Sequence, residues 1–245
     1  MADKQPHASR LKRAAAARRE TRLERAQRIS DAYGLVLVLI LTTFVVTMTL
    51  PQKGGAGRLF AIVVSAFTAI VALTSSDVRP SRVRGAVIIA FSSVFAGLLG
   101  VVIPSNALLG IAFAITTILL LIAAVTILRR VVTSIAVDFR TILGAISVFT
   151  LLGLLFGFAY LALGRLQSGE VFAGVAHPKS SDFLFFSYTT LTTTGYGNLV
   201  PSGVIGESLS VFEMLIGQIF LVTLVAGLVS LWRPGAKLPP DELSS

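Results

Sequence analysis

Cysteine is absent from the 245 residues, so no disulfide forms and no thiol can act as nucleophile, redox centre or metal ligand. Histidine is nearly absent. His7 sits in a basic tail and His177 in a polar connection, which leaves no imidazole cluster for a metal or for proton transfer. Charged residues make up only 13% of the chain, against roughly 25% in soluble domains. No glycine-rich phosphate loop and no nucleophile–base pairing occurs, so the residues offer no enzyme chemistry and no cofactor site. The net charge of +9 does not indicate nucleic acid, because nine of the 21 basic residues crowd into the first 28 positions. A basic tail before a first apolar span reads as a cytoplasmic flank.

What remains is apolar. Hydrophobic residues form 54% of the sequence and come in long uncharged runs. A bilayer core requires about 17–25 such residues as helix. The pattern predicts an all-α membrane protein with six transmembrane helices, at 32–50, 59–75, 85–103, 107–128, 141–164 and 204–232. Pro51 with Gly54, Gly55 and Gly57 ends the first run. Pro80 falls in the second connection, Pro104-Ser105-Asn106 makes a turn, and Arg129-Arg130 closes the fourth run. With the amino terminus inside, 17 of the 21 Lys and Arg residues fall on inner segments and only Lys53, Arg58, Arg165 and Lys179 outside. The positive-inside rule thus predicts a multi-pass cell-membrane protein with both termini cytoplasmic, of a composition that suits a bacterial inner membrane.

Four regions follow. Residues 1–30 form a basic amino-terminal segment, read either as a helix against anionic lipid headgroups or as a solvated tail. Residues 31–130 form a four-span bundle. Residues 131–232 hold a short interfacial helix (131–140), two spans and the connection between them. Residues 233–245 form a cytoplasmic tail.

That connection contains the polar stretch "TTLTTTGYGNLVP", residues 189–201. Ser180 to Thr193 predicts a short helix capped by Ser180 or Ser181, with Asp182 in its first turn, where the helix dipole favours an anion. It is too short to cross, so it dips in and returns through Thr194 to Pro201. Non-helical backbone at membrane depth is tolerated only where it is buried in protein or lines a water-filled path. Gly195 and Gly197 permit positive φ. Alternating them with ordinary residues turns successive carbonyls the same way, and several copies around an axis would make rings of oxygens for a bare cation.

Thr193-Thr194-Gly195-Tyr196-Gly197-Asn198, after a short helix and between two spans, resembles the selectivity filter of potassium channels. The resemblance covers the last two spans and their connection. It implies a re-entrant pore helix and selectivity-filter loop between spans 5 and 6. It also implies K+ as the permeant ion, held at Thr193, Thr194, Gly195 and Tyr196, and a homotetramer in the lipid bilayer, since one strand cannot surround an ion. Thr194 stands where the family usually has valine or isoleucine. Asn198 stands at the outer mouth in place of the usual aspartate.

In the sixth span, Gly217 is a candidate gating hinge. Glu213 is an intramembrane carboxylate, expected to support the filter from behind, near Tyr188 or Thr189. Phe220, Thr223 and Gly227 are candidates for the inner vestibule. The fourth span carries no Lys or Arg, whereas steep voltage sensing needs several charges in the field. The expectation is a potassium-selective channel subunit that is not steeply voltage-gated. The alternatives are a weakly selective cation channel, a potassium uptake transporter subunit, or a non-conducting partner subunit.

Overall fold

The computed structural model describes residues 34–49, 55–75, 80–133 and 139–231. The basic segment 1–30 and the tail 233–245 lie outside the described residues. Seven helices occur among the described residues: α1 (Gly34–Thr49), α2 (Gly55–Thr74), α3 (Pro80–Val102), α4 (Asn106–Val132), α5 (Phe139–Leu166), α6 (Ser180–Leu191) and α7 (Val204–Leu231). Five of them, α2 to α5 and α7, are long and apolar enough to cross a membrane. The described part of α1 is apolar but shorter. No strand occurs among the described residues; isolated bridges join Phe172 to Val175 and to Pro201.

Two boundaries differ from the sequence reading. Pro80 is the first residue of α3 rather than part of a connection, a position where its missing N–H costs nothing. The middle of the interfacial helix expected over 131–140, at 134–138, lies outside the described residues. α4 runs on to Val132 and α5 starts at Phe139. Helical propensity of the apolar run carries α4 past Arg129 and Arg130, whose charges suit the negative end of its dipole.

Hydroxyl residues within the apolar helices satisfy themselves. Thr42, Thr47, Ser65 and Thr117 each donate to the carbonyl four residues earlier, as a medium without water demands. Helices then approach through small residues. α3 buries Ala86, Ala90, Ser93, Gly97 and Gly100; Gly97 receives Ile62 of α2, and Gly100 receives Leu109 of α4. α1 buries Val36, Ile40, Thr43 and Thr47 along one stripe, and the Thr43 hydroxyl lies 2.9 Å from that of Thr68 on α2. α4 joins this bundle to α5, with the rings of Phe113 and Phe158 edge to face at 5.8 Å.

α7 is different. Gly206, Ser210, Glu213 and Gly217 form its buried stripe, while Val211, Phe212, Leu215, Ile219 and Val222 face outward.

Candidate functional site

The site begins with α6, a helix of 12 residues and therefore about 18 Å long, well short of a bilayer core of about 30 Å. Asp182 lies in its first turn as expected. The cap is Lys179 rather than Ser180 or Ser181: the Asp182 carboxylate reaches back to accept the Lys179 N–H at 2.7 Å. Three glycines of α5 receive α6. A Cβ at Gly153 would stand 2.4 Å from the Tyr188 ring, one at Gly157 2.5 Å from Leu184, and one at Gly164 2.9 Å from Phe183. The Tyr188 hydroxyl donates to the Thr150 carbonyl at 2.7 Å, and its ring meets Phe44 of α1 edge-on at 5.0 Å.

The chain turns back at the end of α6. The carbonyl of Thr189 accepts from the N–H of both Thr194, at 2.8 Å, and Gly195, at 3.1 Å. Thr193, Gly195 and Gly197 then take φ of +56°, +52° and +76°. Left-handed residues therefore alternate with Thr194 and Tyr196, neither of which has positive φ. Among the described residues, no backbone or side-chain donor bonds the carbonyls of Thr193 to Gly197. The two glycines were legible beforehand. The left-handed Thr193 was not, since only glycine announces such a backbone.

Side chains hold this segment against α6. The Thr192 hydroxyl donates to the Tyr188 carbonyl at 2.7 Å and lies 2.8 Å from the Thr194 hydroxyl. Because the single Thr192 proton is committed to a carbonyl, Thr194 is the donor of the pair. The Tyr196 ring stacks on Phe185, centroids 5.7 Å apart. Beyond it Asn198 is exposed. The exit is tied down by backbone pairing: Ala173 N–H to Val200 carbonyl at 2.9 Å and Ser202 N–H to Val171 carbonyl at 2.8 Å. Phe172, fully buried, packs on Phe183 and Phe186 of α6. This clamp was missed in the sequence, although Phe172 is the one phenylalanine between Arg165 and Asp182.

Glu213 is 0% exposed, buried between α5, α6 and α7. Its Oε2 accepts from the Tyr160 hydroxyl at 2.8 Å and its Oε1 from the Ser187 hydroxyl at 2.6 Å. Ser210 lies 3.2 Å from the Tyr160 oxygen. The expected partners Tyr188 and Thr189 are not the ones used. Gly153 draws the Tyr188 ring to α5, and the Thr189 hydroxyl donates to the Phe186 carbonyl at 3.0 Å. Tyr160, the lone tyrosine of the fifth apolar run, was the available signal for this network. Gly217 touches α6 too: a Cβ there would stand 2.1 Å from the Leu191 carbonyl oxygen. Phe220, Thr223 and Gly227 line an apolar cavity with Leu128 of α4 and Thr141 and Ile142 of α5.

α5 and α7 thus both pack on the short helix α6, which ends in a glycine-punctuated return. Residues 148–233 match the family model described as ion channel. A stretch of 63 residues, 26% of this chain, is 36% identical to the inward rectifier potassium channel Kirbac3.1 of Paramagnetospirillum magnetotacticum. That stretch spans 21% of the relative's length. No solved structure matches. The similarity to ion channels thus falls on residues 148–233, from within α5 through α7.

Proposed function

We propose that the chain is one subunit of a homotetrameric, potassium-selective channel that passes K+ passively through an axial pore. In this reading α1 is the first of six spans, both termini are cytoplasmic, and α6 with 192–203 is re-entrant. The observation that carries it is the alternation of left-handed backbone at Thr193, Gly195 and Gly197. Four such strands around an axis stack the carbonyls of Thr193, Thr194, Gly195 and Tyr196 into rings, with the Thr193 hydroxyl at the inner end. The rings replace the water shell of K+ as it enters, and adjacent sites let ions displace one another.

The remaining residues act by position. Tyr196 braces the strand on Phe185, Thr194 ties it to Thr192, and the clamp at 171–173 and 200–202 holds the exit near Asn198. Glu213, through Ser187, supports α6 from behind. Gly217 serves close packing against Leu191, and bending of α7 there would move the end of α6 with it.

The test is current recording from reconstituted protein with potassium on one side and sodium on the other. The reversal potential should lie close to that of potassium. Reversal near zero would replace this reading with a weakly selective cation channel.

A further inference from the structure

The peptides of the returning strand are not held evenly. Thr189, in the last turn of α6, offers one carbonyl oxygen to two donors, Thr194 N–H at 2.8 Å and Gly195 N–H at 3.1 Å. In a planar trans peptide the N–H and C=O point in opposite directions. Each of these bonds therefore turns one carbonyl away from α6: that of Thr193 for the first, that of Thr194 for the second. The N–H groups of Tyr196 and Gly197 make no hydrogen bond among the described residues. Backbone pairing resumes only at Val200 and Ser202. The grip of α6 on the strand thus ends at the 194–195 peptide, on the longer of the two bonds.

A second link reaches the same peptide through a side chain. The Thr194 hydroxyl donates to the Thr192 hydroxyl at 2.8 Å, and Thr192 gives its own proton to the Tyr188 carbonyl at 2.7 Å. This relay ends on α6, one residue before the carbonyl that holds the backbone. Thr194 is branched at Cβ, so its χ1 has few alternatives, and fixing its oxygen fixes the backbone that carries it. Valine, usual at this place in the family that the stretch resembles, has the same branch and no donor.

We infer that Thr194 is a positioning residue whose hydroxyl, through Thr192, keeps the Thr193 and Thr194 carbonyls aimed away from α6 when no ion holds them. That these carbonyls hold K+ rests on the channel reading proposed above; the relay is a feature of the single chain. With K+ bound, ion and oxygens hold one another. Without it the oxygens repel one another, and the 194–195 peptide is free to turn unless the relay opposes it. Both hydroxyls are exposed in the chain, so water competes for them. The lower part of the range for one hydrogen bond then applies, about twofold to fivefold in a rate or an opening equilibrium.

The experiment uses the full chain as wild type, Thr194→Val, Thr194→Ser, Thr192→Val and the double variant Thr192→Val/Thr194→Val. Hydrogen–deuterium exchange, read by mass spectrometry in detergent, follows residues 192–199 in sodium and in potassium. Reconstituted protein supplies the reversal potential and the decay of current as external potassium is lowered. In sodium, Thr194→Val should exchange roughly twofold to fivefold faster than wild type, and Thr194→Ser should stay close to wild type. Potassium should narrow the difference. The double variant should exchange no faster than Thr192→Val, since either loss breaks the same relay. Current should decay faster in Thr194→Val and not in Thr194→Ser. An unchanged Thr194→Val, equal effects of valine and serine, or the same contrast in both cations would overturn the inference. A wild type that shows the exchange contrast but reverses near zero would sink the potassium-selective reading and leave the relay standing. A potassium-selective wild type without the contrast would do the opposite.

Discussion

The α-carbon of Gly217 lies against the carbonyl of Leu191, the last residue of α6, so closely that any side chain at 217 would enter the oxygen. On an exposed helix, Gly→Ala would gain about 1 kcal/mol. Here overpacking wins, and Gly217→Ala should destabilise the protein by about 1–3 kcal/mol. Gly227→Ala, with nothing within 4 Å of its Cβ position, should be neutral or mildly stabilising. Denaturation of the two variants in one detergent checks the contrast. A stable Gly217→Ala protein with altered opening would instead make residue 217 a hinge.

Glu213 offers a second test. Tyr160→Phe and Ser187→Ala each remove a donor from a fully buried carboxylate. Each should cost about 1–2 kcal/mol, the range for hydrogen bonds to buried or intramembrane groups. A double-mutant cycle between Tyr160→Phe and Glu213→Gln should show coupling of about 0.5 kcal/mol or more. Additive effects would mean that the network contributes nothing as a unit.

Gly195→Ala should abolish potassium current and leave the fold intact. Alanine at a φ of +52° meets the left-handed penalty of about 1–2 kcal/mol. The space around its Cβ is open in the chain, so the loss stays local. Ion flux and size-exclusion profile, measured on the same preparation, should separate. An active Gly195→Ala protein would remove the backbone alternation as the basis of conduction.

Opening should depend only weakly on voltage. One charge crossing the full potential is worth about 2.3 kcal/mol per 100 mV, and steep gating takes roughly 3–4 per subunit. α4 has its basic residues, Arg129 and Arg130, in its last turn, and α1 has none among its described residues. A conductance–voltage curve in symmetric potassium should be shallow. A steep sigmoid that flattens on neutralising Arg129 and Arg130 would place those charges in the field.

Much of this was legible because the informative residues are punctuation. Gly195, Gly197 and Pro201 mark a return that cannot be helical, and Asp182 marks where the short helix starts. What was illegible depends on which face a neighbour offers. Gly153, Gly157 and Gly164 read as unremarkable small residues in an apolar run until α6 is placed on them. That placement sends Tyr188 to α5 and leaves Ser187, not Tyr188, for Glu213. The left-handed Thr193 and the direction of the Thr194–Thr192 hydrogen bond follow from a backbone path that composition does not encode.

The three α5 glycines also act as a depth gauge. Tyr188, Leu184 and Phe183 drop into notches at fixed heights along α5, so α6 cannot slide by a turn without driving side chains into backbone. In the proposed pore, the immersion of the 193–197 strand is thereby measured along protein, not along lipid. When a bilayer thickens or thins, spanning helices tilt to match it, and α6 tilts with α5 as one body. Ion selectivity should then be the same in short-chain and long-chain lipids, while the number of open channels is free to vary with thickness.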